Sequence, residues 1–159
     1  MLEIEIGELL QQLGLKLALA ESCTGGLIGH RVTNVPGSSE YFAGGIVAYS
    51  YEAKAKTLGV SWDILNSVGA VSSETVLAMA HGAKGMMDAD VAISVSGIAG
   101  PGGGTDEKPV GTVWVGLVAA DGNWPQEFHF DGDREQNKAS SADAALQMLL
   151  DYLQGRLIK

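Results

Sequence analysis

The 159-residue sequence has a single cysteine, Cys23, so no disulfide can form within the chain. It is short of positive charge: ten Lys and Arg stand against nineteen Asp and Glu, a formal net charge of −9. The acidic excess is spread along the chain and repels nucleic acid and anionic membranes at long range. It still allows a small anionic substrate, which a few local cations and helix N-termini can hold. No apolar run reaches the ~20 residues of a membrane-spanning helix. The start, Met1-Leu2-Glu3-Ile4-Glu5, has neither the basic residues nor the small-residue cleavage site of a secretory signal. These absences predict a cytoplasmic protein with no nucleic-acid or membrane partner. The three histidines, His30, His81 and His129, lack paired-ligand spacing, which argues against a metal centre and against a histidine-based triad. Neither Gly-x-Gly-x-x-Gly nor a Gly-Lys-Ser/Thr phosphate loop is present, and no cofactor is expected.

What is present is a well-patterned apolar chain. Hydrophobic residues make up 46 %, enough for one domain with a sizeable core over residues 1–159. Apolar positions Ile6, Leu9, Leu10 and Leu13 predict a helix over about 3–13, ending near Gly14. Leu15 to Ala20 reads as a strand, 24–33 as a helix stopped by Asn34-Val35-Pro36-Gly37, and Gly44 to Tyr49 as a second strand. Short helices are expected over Tyr51–Leu58 and 61–67. A longer helix, capped by Ser72 or Ser73, should run to about Met87 with Val76, Leu77, Ala80, Ala83 and Met87 inward. Asp90 to Ser96 is a third strand. Strands at 111–119 and about 126–130 flank a turn at Asp121-Gly122-Asn123. A last helix over about 133–154 has Ala142, Ala145, Leu146, Leu149, Leu150 and Leu153 on its apolar face. Strands alternate with helices for two thirds of the chain and a hairpin follows. The pattern predicts a three-layer α/β/α sandwich with a mixed central sheet.

The stretch from Leu17 to Gly26 is the focus. An apolar run ends at Ala20, polar residues and two glycines follow, and a helix begins. A strand feeding a helix through such a turn is a frequent site in α/β proteins, and unpaired N–H groups there can hold an anion or an oxyanion. Ser22 stands at the turn. Ser22 or Thr24 also suits the simpler task of capping the helix. A serine nucleophile without histidine needs another base, and a neutral lysine can serve. Lys54 and Lys56 lie just after the second strand. If that strand is parallel to the first, either lysine, together with Tyr49, can reach Ser22; position alone favours two surface lysines. Cys23 is a rival nucleophile or a small packing residue. The glycine-rich loop after Ser96 is either a binding loop or a flexible connection. Arg134, at the start of the last helix, is either solvated or a phosphate ligand.

Several motifs together carry a resemblance. They are Ala20-Glu21-Ser22-Cys23-Thr24-Gly25-Gly26, Tyr41-Phe42 through Gly44-Gly45 to Tyr49-Ser50 and Lys54, and Gly69-Ala70-Val71-Ser72. Ser96-Gly97-Ile98-Ala99-Gly100-Pro101, Lys108-Pro109-Val110-Gly111-Thr112-Val113 and Gly132-Asp133-Arg134 complete the set. Their order and spacing, over about residues 5–154, resemble the CinA C-terminal domain family, which includes nicotinamide-nucleotide amidases. The resemblance implies metal-free hydrolysis of nicotinamide mononucleotide to nicotinate mononucleotide and ammonia. It implies Ser22 as nucleophile, Lys54 rather than Lys56 as its partner, and Tyr49 and Ser96 completing the site. Substrate contacts are expected from Thr24, Gly25 and Gly26, from Gly97 and Gly100, and from Arg134 and Lys138. The family often associates, so a homo-oligomer, most simply a dimer, is expected. Three positions depart from the family pattern: Tyr51 where Asn is frequent, Ser73 where Glu is common, and Lys138 where a second Arg is frequent. They keep two alternatives open, an amidase for another small amide and a non-catalytic nucleotide-binding or regulatory module.

Overall fold

The computed structural model describes residues 1–157, so residues 158–159 of the expected domain lie outside the described residues. The elements in order are α1 (Leu2–Leu13), β1 (Leu17–Glu21), α2 (Leu27–Thr33), a 3-10 turn (Ser38–Glu40), β2 (Phe42–Val47), α3 (Tyr51–Leu58), α4 (Trp62–Ser67), α5 (Ser73–Met86), β3 (Val91–Gly97), β4 (Thr112–Ala119), β5 (Gly122–His129) and α6 (Arg134–Leu153). The strands form one sheet in the order β2-β1-β3-β4-β5. β2, β1 and β3 are parallel; β4 runs antiparallel to β3, and β5 to β4. The expected three-layer sandwich with a mixed sheet is therefore the architecture. Among the described residues no helix is long and apolar enough to cross a membrane.

Strand alternation sorts the core into two layers. Leu17, Leu19, Ile93 and Leu117 pack with Ile6 and Leu10 of α1, Ile28 of α2, and Leu146 and Leu149 of α6. Ala18, Ala20, Ala92 and Val118 face Leu58 of α3, Leu65 of α4, and Met79, Ala80 and Ala83 of α5. The second face is built from small residues, so α5 lies close against the sheet. A methyl group on Gly116 would stand 2.9 Å from the Val76 carbonyl, and Ser94 Oγ donates to the same oxygen.

Several boundaries differ from the sequence expectation, each for a local reason. β1 begins at Leu17 rather than Leu15, because Gly14, at φ +67°, closes α1 and Leu15 N–H turns back to Leu10 O at 3.0 Å. Leu13, expected inward, is exposed at that end. α2 begins at Leu27 rather than residue 24, because Gly25 and Gly26 hold φ +62° and +103°, outside the right-handed helical region. β2 covers Phe42–Val47 instead of Gly44–Tyr49, so Ala48 and Tyr49 lie past its end. In the hairpin, Ala119 pairs with Gly122, leaving a two-residue turn at 120–121, and β5 starts four residues earlier than expected. On α5, Thr75 and Met79 are buried, while Leu77 and Met87 are half-buried.

One packing detail yields a prediction. α1 crosses Tyr41 so closely that a methyl on Gly7 would sit 2.5 Å from Tyr41 Oη. That hydroxyl is buried without a hydrogen-bond partner among the described residues. Tyr41→Phe removes the unpaired group and keeps the ring, so it should raise stability by about 1 kcal/mol. Thermal unfolding of the variant checks the sign.

Candidate active site

β1 lies between β2 and β3, and the chain leaves its C-terminal end first toward one neighbour and later toward the other. Such a switch point opens a crevice beyond the strand ends. Ser22 is the first residue past β1. Its N–H donates to Val95 O at 3.0 Å, and Ala48 N–H donates to Glu21 O at 2.9 Å. β1 thus fixes Ser22 on one side and the start of the β2–α3 connection on the other. Glu21 pairs with Val95, so the next residues, Ser22 and Ser96, stand side by side. Alternation turns both toward the face carrying α3 and α5, and both are buried.

Lys54 comes up from α3. Ser50 Oγ caps that helix by accepting from Ala53 N–H at 3.0 Å. A helical side chain leans toward its own N-terminus, which directs Lys54 back onto the strand end. It is 1 % exposed. Its Nζ lies 2.9 Å from Ser22 Oγ, 3.1 Å from Ala48 O and 3.2 Å from Tyr49 O. The two carbonyls can only accept. Protonated, the amine donates to all three oxygens; once neutral, it keeps two N–H bonds for the carbonyls and its lone pair can accept from the Ser22 hydroxyl. Burial lowers the Lys54 pKa from the ordinary lysine value, opposed in part by the neighbouring Cys23. Lys56, two residues on, is exposed on the other side of α3.

The turn from Ser22 to Gly26 settles the capping question. α2 has no side-chain cap at Gly26. Its first-turn amides go instead to Glu21: Ile28 N–H and Gly29 N–H donate to the carboxylate, each at 2.9 Å. Thr24 Oγ1 donates to it at 2.6 Å and is buried, so that hydroxyl locks the turn and does not face the crevice. The N–H groups of Cys23, Thr24 and Gly26 have no acceptor among the described residues. Burial pushes the Cys23 thiol up to about 11, which keeps it protonated at neutral pH. Cys23→Ala should therefore retain most of any hydrolytic activity, and a severe loss in a folded variant would make the thiol the nucleophile.

The other expected residues collect around the mouth. Arg134 donates through one nitrogen to Gly100 O at 2.6 Å and through another to Tyr49 Oη at 2.9 Å. Tyr49 thus meets Lys54 through its carbonyl and Arg134 through its phenol. Lys138, one turn after Arg134, leans over the serine turn: a methyl on Gly25 would stand 3.9 Å from its Nζ. Gly97 and Gly100 admit no side chain, since a methyl would strike Val113 and Val110 respectively. A cleft of about 570 Å³ beside the loop is lined by Ala99, Pro101, Val110, Gly132, Asp133, Arg134 and Glu135, and not by Ser22 or Lys54. Among the described residues, no group of three or more His, Cys, Asp or Glu could hold a metal ion.

Two supporting residues escaped sequence reasoning. Asn137 is buried; its amide donates to Ala99 O and Gly132 O and accepts from Gly132 N–H, each at 3.0 Å. Lys108 Nζ donates to Val68 O at 2.6 Å, holding the other side of the glycine-rich loop. The signal for Asn137 was available: it falls four and five residues before Ser141 and Ala142, on the inward stripe of α6.

Fold and crevice define a class: an α/β domain with a buried Ser–Lys contact at the C-terminal edge of its parallel strands. A family model described as the CinA C-terminal domain matches residues 1–153. The chain belongs to the CinA C-terminal domain family. A protein of Halothermothrix orenii, whose name describes it as competence-damage inducible, is 53 % identical over 150 residues, 94 % of this chain and 36 % of that protein. A CinA-like protein of Geotalea uraniireducens is 46 % identical over 153 residues, 96 % of this chain and again 36 % of that one. The chain thus spans little more than a third of the length of these relatives. The crystal structure of the competence damage-inducible protein A from Klebsiella pneumoniae superposes with a TM-score of 0.93 at 35 % identity, covering 96 % of this chain and 95 % of that one. That of the competence/damage inducible protein CihA from Agrobacterium tumefaciens gives 0.86 at 42 % identity, covering 94 % and 96 %.

Proposed function

We propose that this domain is an amidohydrolase that converts nicotinamide mononucleotide to nicotinate mononucleotide and ammonia, with Ser22 as nucleophile and Lys54 as base. The observation that carries the reading is the buried Lys54 amine, 2.9 Å from Ser22 Oγ, with two carbonyls as its other partners. Ser22 Oγ attacks the carboxamide carbon as Lys54 takes its proton. The oxyanion is held by N–H groups of the Ser22–Gly26 turn, with the neighbouring Ser96 hydroxyl supporting it. The C–N bond breaks as Lys54 returns the proton to departing ammonia. Water, deprotonated by Lys54, then cleaves the ester and restores Ser22. No step draws on a metal ion. Lys138 and Arg134 supply positive charge for the substrate phosphate; a lysine offers a point charge where an arginine would offer a fork.

Ammonia release tests the reading. Nicotinamide mononucleotide should be hydrolysed, and its dephosphorylated nucleoside much more slowly. Binding of the nucleotide without ammonia release would favour a regulatory module. Hydrolysis of other amides from a panel, with this one untouched, would keep the chemistry and replace the substrate.

A further inference from the structure

The serine turn contains a buried charge that the proposed chemistry does not use. Glu21 is 3 % exposed. Its carboxylate takes three hydrogen bonds, from Thr24 Oγ1, Ile28 N–H and Gly29 N–H. Among the described residues no Lys or Arg forms an ion pair with it. Burying an unpaired carboxylate is costly unless its bonds are good and charge-assisted. Here all three come from the segment that follows the nucleophile. Alternation places Glu21 on the α2 face of the sheet and Ser22 on the α3 face, so the carboxylate cannot take the Ser22 proton.

The turn is therefore clamped at both ends. Ser22 N–H is held by Val95 O, and Thr24 and the start of α2 are held by Glu21. Between the clamps lie the free N–H groups of Cys23, Thr24 and Gly26. Positive φ at Gly25 and Gly26 gives this segment a backbone that, unclamped, has many alternatives. We propose that Glu21 is a positioning residue whose carboxylate locks the 22–26 turn, so that its N–H groups are already aimed where the oxyanion forms. This rests on Ser22 being the nucleophile. Preorganised donors of this kind act in the transition state without reorganising.

The test measures Ser22 modification by a fluorophosphonate, whose phosphoryl oxygen occupies the oxyanion position as the Ser22 Oγ–P bond forms and fluoride leaves. The full chain is used, labelled peptides are identified by mass spectrometry, and rates are followed against pH well below each variant's unfolding temperature. Glu21→Ala should slow labelling by about 100-fold, the loss typical of an oxyanion donor. Glu21→Gln, which can still accept from Thr24 and Ile28 but not from Gly29 as well, should fall in between. The pH midpoint should not move in either variant, because Lys54 and its carbonyls are untouched. Labelling of folded variants at the wild-type rate would overturn the proposal, as would an unchanged plateau with a displaced midpoint. If Glu21→Ala does not fold, Glu21→Gln decides by the same criteria. A folded wild-type protein unlabelled at Ser22 would overturn both this proposal and the reading of Ser22 as nucleophile; labelled wild type with unaffected variants would overturn this proposal alone.

Discussion

Ser22→Ala and Lys54→Ala should each remove nearly all ammonia release, on the order of 10⁴-fold, and the double variant should be little worse than either. Two groups that act as one unit lose their whole contribution when either is missing. Lys56→Ala should be mild, since that side chain is exposed and turned away. The rate should climb with pH through a midpoint below the ~10.4 of a free lysine, because burial lowers the Lys54 pKa and the base works when neutral. Stability should follow the same sign. Below the lowered pKa the buried amine must carry charge and the burial penalty is fully present. Between that pKa and the unfolded value the unfolded chain binds more protons, so stability rises with pH and levels off near ~10.4. Lys54→Met should flatten that rise in denaturant titrations. Near-normal turnover in folded Lys54→Ala would remove lysine as the base.

Gly82→Ala should damage both stability and turnover. A methyl group at Gly82 on α5 would run into the carbonyl oxygen of Leu58, the last residue of α3. The obstacle is backbone, so α3 itself must shift. Overpacking of this kind costs about 3 kcal/mol, or about 9 °C in unfolding temperature for a domain of this size. Lys54 sits one turn before Leu58, so the same shift moves Nζ relative to Ser22 Oγ, and ~1 Å of misplacement can lower the rate by about 100-fold. Gly85→Ala on the same helix is the control. Nothing lies within 4 Å of a methyl there, so better helix propensity should make it neutral or stabilising by up to ~1 kcal/mol. Equal unfolding temperatures for the two variants would mean that α3 and α5 have slack between them.

The layers of the fold were readable because β1 and β3 are short, buried runs bounded by turn residues and a period-3.6 pattern runs over α5 and α6. Boundaries were less readable where one residue serves two elements. Gly14 ends a helix and delays a strand, and Ala48 and Tyr49 look like strand but spend their carbonyls on Lys54. The surface alternative for Lys54 also fails for a physical reason. Its spacing on α3 matches an ordinary exposed lysine, and only the tertiary position of Ala48 O, Tyr49 O and Ser22 Oγ explains its burial. A local rule points to Ser22 or Thr24 as the cap. A carboxylate one residue earlier reaches farther and takes two helix amides at once, which no adjacent-residue rule contains.

The sheet's two faces also differ in what natural variation they can absorb. Toward α1, α2 and α6, large side chains meet large side chains, and a lineage can trade Leu, Ile and Met across the contact with compensating partners. Toward α5, Ala18, Ala20, Ala92 and Gly116 approach a helix whose own main chain is the neighbour at Val76. Main chain offers no smaller variant to exchange. Drift in this domain is therefore lopsided. Under selection for folding alone, a randomised library should diversify the α6 side and return to Ala and Gly on the side that carries Ser22 and Lys54.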